Sequence, residues 1–217
     1  ARDGIVDSYQ RARQYFDAAV GAHTRGSSPS RREKYLRTAP QMIRYLEGHG
    51  MQFQRVAYWP DYYDNLPGGE KTSRSLVAPL FNLRELGDWQ TKLSMYKGDR
   101  MPVNSDDIPA LMLFKRTWAG KFQGLRMLWR QLKEKLTGQI LVGTGAAIQG
   151  RLLKIALAKK VPIWLDSPVE ELIVEGDKVV GVAARRNGKL TRIRARNGVL
   201  LNVGGFSRND AMRQQHQ

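Results

Sequence analysis

No cysteine occurs among the 217 residues. Disulfides, zinc–thiolate sites and cysteine nucleophiles are therefore excluded, and the absence suits a reducing cytoplasm. Imidazole is scarce: His23, His49 and His216 are the three histidines, and their spacing suggests no metal site. Nor do they sit in any nucleophile–His–acid arrangement. No apolar run is long enough for a membrane-spanning helix, so no membrane span is expected. The first residues show no apolar stretch of the signal-peptide kind. Acidic residues are few, 20 against 36 Lys and Arg, which leaves a net charge of +16. Such an excess suits nucleic acid, anionic lipid or an anionic small molecule. Yet the cations are spread along the chain. They are densest from Lys115 to Lys135, on a helix-like pattern. A solvated face, or one that meets acidic protein, is the plainer reading, and no specific nucleic acid partner is expected.

What is present begins with a helical pattern in Ile5, Tyr9, Ala12, Phe16 and Ala19. No usual cap precedes it, and the start reads like the middle of a longer protein. Ser28 as N-cap with Pro29 behind it predicts a second helix. Thr38-Ala39-Pro40 is expected to kink or restart that helix, and Gly48-His49-Gly50 to end it. Met51 to Trp59 reads as one or two short strands. Trp59-Pro60-Asp61-Tyr62-Tyr63 through Pro67-Gly68-Gly69 is a long, aromatic loop of the kind that often carries function. Asp88 to Asp107 reads as a polar, mobile loop. Ile108 to Leu136 is expected to be helical, with Trp118, Leu125, Trp129, Leu132 and Leu136 on a core-facing stripe.

The last third is richer. Gln139 to Val142 reads as a strand, and Gly143-Thr144-Gly145 as a turn with Thr144 as N-cap. Ala146 to Lys160 reads as a helix. A helix N-terminus offers free N–H groups to phosphate. The dinucleotide fingerprint G-x-G-x-x-G, however, requires glycine where Ile148 stands. Asp166, after a strand at Ile163-Trp164-Leu165, lies near the place of a ribose-binding acid. On spacing alone, close packing of helix on strand is the plainer account of the glycines. Val169 to Ala195 predicts an antiparallel three-strand meander, turned at Gly176-Asp177 and at Asn187-Gly188. Val199 to Val203 reads as an apolar central strand running into Gly204-Gly205. There the backbone either approaches a ligand or turns tightly into the next helix. Tyr62, held in its Pro/Gly loop, offers a phenol that acts as a general acid if hydrogen-bonded and partly buried. Alternatively, the loop tyrosines pack on the body.

The order of these pieces resembles a family. The run Gly143 to Leu153 is followed by Val161-Pro162-Ile163, Val169-Glu170-Glu171-Leu172, Gly181-Val182 and Ala195 to Arg213. Together they are similar to FAD-dependent dehydrogenases of the fumarate reductase flavoprotein superfamily, and most of all to 3-ketosteroid Δ1-dehydrogenases. Trp59 to Gly69, Arg74-Ser75 and Phe81-Asn82 to Leu86-Gly87 resemble that group's Pro-Asp-Tyr loop and the segment after it. The resemblance implies an α/β fold: an incomplete Rossmann-like FAD-binding domain with an antiparallel β-meander and a helical insert. Residues 1–137 would be the insert and loop region. Residues 138–217 would be the βα unit, the meander and the Gly-Gly strand. FAD is the implied cofactor, with Thr144, Gly145 and Ala147 alongside it, the Val169 backbone at the adenine and Gly204-Gly205 passing the adenosine. Tyr62 would line a cavity for a small hydrophobic, steroid-like substrate and take a catalytic part, and a cytoplasmic location is implied.

Two rivals stand beside this reading: a fumarate-reductase-like flavoprotein acting on a small unsaturated acid, and a non-catalytic basic binding module. Departures from the group are Ser73, where glycine is usual, and Asn202, where a small residue is usual. The fingerprint is expected upstream of Ala1 and a catalytic cap beyond Gln217, so the chain alone is expected to be inactive and to hold FAD weakly.

Overall fold

Serine caps and turn glycines set the boundaries of the helices at the start of the chain. The structure, a computed structural model, describes residues 7–22, 26–56, 59–72, 74–94, 102–207 and 209–216. They fall into two units, Ala1–Val161 and Pro162–Gln217. In the first unit the extended Ser8 accepts a hydrogen bond from the Arg11 N–H and starts helix α1 (Tyr9–Val20). The cap that the sequence reading did not find is thus Ser8, while Ile5 lies outside the described residues. Ser28 caps α2 (Pro29–Gly48) as expected, with Pro29 in the first turn. Pro40 neither ends nor restarts α2, which continues through it. Arg32, 1% exposed, locks α1 to α2. Its guanidinium donates to the Asp17 carboxylate (2.9 Å) and to the Gly21 carbonyl (2.9 Å).

Two short antiparallel pairs follow. Strand β1 (Gln54–Arg55) pairs with β2 (Leu76–Val77), and β3 (Phe81–Asn82) pairs with β4 (Leu141–Val142). Helix α5 (Thr144–Ala158) leaves β4 at once. Met51, Ala78, Phe81, Leu83, Leu86, Val142, Ala146 and Ala147 form the core beneath it. Gly150 of α5 serves this packing: a Cβ there would lie 2.6 Å from the Phe81 ring.

Three expectations are corrected here. Of the predicted mobile loop, Asp88 to Thr91 is the end of a 3-10 helix, Leu83–Thr91, kinked at Gly87, and residues 95–101 lie outside the described residues. Pro102 and Val103 are buried, and Ser105–Asp107 forms a buried 3-10 turn ahead of α3 (Ile108–Met112). Burial is possible because Asn104 and Asp107 bond each other's backbone reciprocally. The helix predicted over Ile108 to Leu136 is two helices. Thr117 caps α4 (Trp118–Thr137), accepting from the Gly120 N–H at 3.0 Å. The stripe expected to face the core points outward instead: Trp118, Leu125, Trp129, Leu132 and Leu136 are all exposed.

The second unit is the predicted meander: β5 (Val169–Glu175), β6 (Lys178–Arg186) and β7 (Lys189–Arg194), antiparallel in that order. Asn187 and Gly188, at φ 50° and 77°, make the tight β6–β7 turn. Two positive φ values in a two-residue loop match the right-handed twist of the strands. Gly181, Ala183 and Ala184 are the buried positions of β6. Ile163–Leu165 and Val199–Val203 are not strands. A strand needs a neighbour for its N–H and C=O groups, and among the described residues neither segment has one. Helix α6 (Asp210–His216) closes the unit. The whole is a mixed structure of helices and antiparallel sheet.

Candidate functional site

Tyr62 stands on a loop that is clamped at its base. The Asp61 N–H donates to the Glu70 carbonyl (2.9 Å), and the Glu70 N–H returns a bond to Asp61 Oδ2 (2.9 Å). Arg74 gathers the remaining ends. It donates from Nη1 to Asp61 Oδ2 (2.8 Å), from Nη2 to the Gly68 carbonyl (2.9 Å) and, through two nitrogens, to both oxygens of Asp7 (2.8 and 2.9 Å). A planar guanidinium makes such forked contacts without losing its charge. The Arg74 bonds hold the Asp7 carboxyl below its ordinary value against the opposing effect of burial.

The loop also rests on α1. The Tyr63 N–H donates to the Tyr15 hydroxyl oxygen (3.2 Å), and Arg11 pairs with Glu70 (3.0 Å). Gly68, at φ 76°, lies so near that a Cβ would stand 2.4 Å from the Arg11 carbonyl oxygen. The result is a fixed base and a free tip. Tyr62 is 94% exposed, with its ring centroid 5.8 Å from that of Tyr63. The partial burial that a general acid requires is not supplied by the described residues around it.

Asp61 and Arg74 are the residues that sequence reasoning missed in this site. Their signal was present in an acid beside the tyrosine and an arginine just past the Gly-Gly turn, yet charge pairing across thirteen positions has no periodicity to reveal it.

The second group of predicted residues opens α5. Gly143, not Thr144, is the N-cap, and no side chain caps this end. A Cβ on Gly143 would fall 1.8 Å from the Val103 carbonyl oxygen, so only glycine fits. Thr144 takes φ 50°, a region costly for a β-branched residue. Thr144 and Gly145 are exposed, and a Cβ on Gly145 would meet nothing within 4 Å. Ala147 is 0% exposed, and its N–H donates to the Gly143 carbonyl (3.1 Å). It therefore backs the first turn and presents no side chain outward.

Val169, Gly204 and Gly205 belong to the second unit. Val169 is exposed at the start of β5. Gly204, at φ 74°, and Gly205 lie in exposed, irregular chain with open space where each Cβ would be. Among the described residues, no atom crowds the Gly-Gly pair. Thr144, Gly145 and Ala147 thus sit together on one turn, Gly204 and Gly205 are sequence neighbours, and Tyr62 occupies its own loop. No cluster of His, Asp or Glu suited to a metal occurs among the described residues.

A family model described as FAD binding domain matches residues 1–217. A 3-oxosteroid 1-dehydrogenase of Mycobacterium tuberculosis (strain H37Rv) is 33% identical over 227 residues, covering 100% of this chain and 39% of its own length. A 3-oxosteroid 1-dehydrogenase of Comamonas testosteroni is 30% identical, covering 98% of this chain and 38% of its own. The crystal structure of 3-ketosteroid delta1-dehydrogenase from Sterolibacterium denitrificans, in complex with 1,4-androstadiene-3,17-dione, superposes with a TM-score of 0.85. It is 33% identical, and the match covers 98% of this chain and 40% of that one. The chain therefore spans about two-fifths of the length of the relatives it matches.

Proposed function

The chain belongs to the FAD binding domain family, and from that premise we propose that it is a segment of an FAD-dependent dehydrogenase that oxidises a 3-ketosteroid-like substrate. The observation that carries the reading is the clamped Asp61–Arg74 loop with Tyr62 free at its tip, in a chain a third identical to 3-oxosteroid dehydrogenases. In this proposal the fold is an incomplete Rossmann-like FAD domain. Residues 1–137 supply the insert and the substrate-side loop, and residues 138–217 supply cofactor contacts. A cytoplasmic location goes with it.

The residues present fit FAD. The first turn of α5 has no side-chain cap, and a Cβ at Gly145 or Gly205 would meet nothing. Uncapped N–H groups at a helix start suit an anion, and bare glycine backbone suits close approach of a ribose or adenine. Thr144 and Gly145 would contact the cofactor with Ala147 as backing, while Val169, Gly204 and Gly205 would line the adenosine. When bound, FAD supplies a two-electron acceptor for hydride.

The chain's own part at the substrate falls to Tyr62. Its hydroxyl would hold or move a proton at the substrate oxygen or an adjacent carbon. The Asp61–Arg74 clamp would fix the base of the loop that carries that hydroxyl, while the exposed tip accepts an apolar ring system.

Purified full-length protein is expected to carry flavin absorbance and to reduce an artificial acceptor when given a 3-ketosteroid. Tyr62→Phe should lower kcat at least tenfold and leave the flavin spectrum in place. Protein without flavin would overturn the cofactor assignment, and unchanged kcat in Tyr62→Phe would remove Tyr62 from the reaction. The fumarate-reductase-like and non-catalytic readings are not favoured, because these relatives are ketosteroid dehydrogenases.

A further inference from the structure

Helix α4 is amphipathic and faces the wrong way for a helix in water. The side it lays on its own unit is mostly small and polar: Gly120, Gln123, Gly124, Arg130 and Glu134, with Met127 as its one large apolar residue. Arg130 donates to the Pro102 carbonyl (3.0 Å) and pairs with the buried Asp107 carboxylate. Glu134 Oε1 accepts the Leu141 N–H (2.6 Å). The opposite side repeats every three to four residues as Trp118, Phe122, Leu125, Trp129, Leu132 and Leu136, all exposed, Trp118 at 83%. Burying each of these large side chains would be stabilising, and this structure leaves that stabilisation unused. A contiguous apolar surface of this length marks an interaction site. Gly120 and Gly124 fix its edge. A Cβ on either would stand within 2.6 Å of Leu113 backbone or the Phe114 ring, so the α3–α4 corner is packed tight and extends the apolar face through Met112 and Phe114.

The charge beside the stripe selects the partner. Lys115, Arg116, Lys121, Arg126, Lys133 and Lys135 are exposed, whereas the one acid from Ile108 to Leu136, Glu134, is turned inward. An acidic protein surface would match the cations but not a stripe of Trp, Phe and Leu. An ordinary buried interface would match the stripe but not its cationic flanks. An anionic lipid surface matches both: acyl chains take Leu and Phe, Trp sits at the headgroup level, and Lys and Arg reach outward to phosphate. Lys121 already lies over the Trp118 ring at 4.5 Å, a pairing that keeps the cation beside the apolar stripe. No helix of the described residues is long and apolar enough to cross a membrane. The stripe is one-sided, which fits lying in the surface rather than spanning it.

We propose that the outer face of α4, with the α3–α4 corner, docks the protein on an anionic lipid bilayer. The test is flotation of the full-length protein with vesicles of phosphatidylcholine alone and of mixed phosphatidylcholine and phosphatidylglycerol. Binding is expected to the mixed vesicles, to weaken with salt, and to blue-shift tryptophan fluorescence. The triple variant Lys121→Gln, Arg126→Gln, Lys133→Gln should weaken binding on the order of a hundredfold, at about 1 kcal/mol per cation near an anionic surface. Trp129→Ser should abolish the blue shift of that ring and weaken binding about tenfold. All four residues are exposed, so unchanged circular dichroism is the check that each variant folds. Three results would each overturn the proposal. One is equal binding to neutral vesicles. Another is no binding to either kind. The third is shielding of Trp129 from acrylamide quenching in the lipid-free full-length protein, read as the difference from Trp129→Ser, which would mean that the rest of the chain covers this face.

Discussion

Three glycines near the proposed cofactor surface are glycine for different reasons, and the difference is measurable. At Gly143 a Cβ would lie 1.8 Å from the Val103 carbonyl oxygen, which is backbone and cannot step aside. Gly143→Ala is expected to destabilise the first unit by about 1–3 kcal/mol, seen as a lower urea midpoint. Gly145 and Gly205 meet nothing within 4 Å and carry no positive φ. Among the described residues nothing requires glycine there. Gly205→Val should therefore leave stability within about 0.5 kcal/mol, yet reduce the flavin content of the full-length protein several-fold. Unchanged flavin content would take Gly205 off the cofactor surface. A structural glycine loses stability first, and a ligand-facing glycine loses ligand first.

Local chemistry decided which pieces could be read from the sequence. Ser28-Pro29, Gly176 and Asn187-Gly188 act within a few residues, and the structure has the helix start and both hairpin turns where they predict them. Gly188→Ala should cost about 1–2 kcal/mol at φ 77°, read as a lower melting midpoint for the second unit. The outward stripe of α4 was not legible. Helical spacing says that one face is apolar, not what covers it, and burial of Arg130 and Glu134 against their partners turned the helix over. Nor was the clamp at the Tyr62 loop legible, because Asp7, Asp61 and Arg74 meet only after α1 and β2 are placed. Removing it gives a specific expectation. Arg74→Met should speed amide exchange at Tyr63, Leu66 and Gly69, and leave the β5–β7 amides unchanged. Unchanged exchange in the loop would mean that the base is held by α1 contacts alone.

Charge acts on the chain as a whole. At +16 it repels itself near neutral pH, and the carboxylates that offset this are the paired ones. The carboxyls of Asp7, Asp17, Glu70 and Glu170 are all held below their ordinary values. Bonds from Arg74, Arg32, Thr72 and Arg185 respectively are the largest cause in each case. A carboxyl whose folded value is depressed adds stability fully above its unfolded value, about 3.9 for Asp and 4.3 for Glu. That contribution is lost as pH falls through the lower folded value. Protonation then removes the charged partner of the buried Arg32, Asp17, and weakens the Asp7–Arg74 pair behind the Tyr62 loop, while the net positive charge climbs further. Stability should accordingly be flat from neutrality to about pH 5 and fall steeply below about pH 4. Added salt should move the acid midpoint lower by screening the repulsion between cations. Circular dichroism during acid titration at low and high ionic strength checks both. Asp17→Asn should lower stability at neutral pH and flatten the acid dependence. If salt raised the acid midpoint, loss of screened ion pairs would outweigh self-repulsion as the cause of acid unfolding.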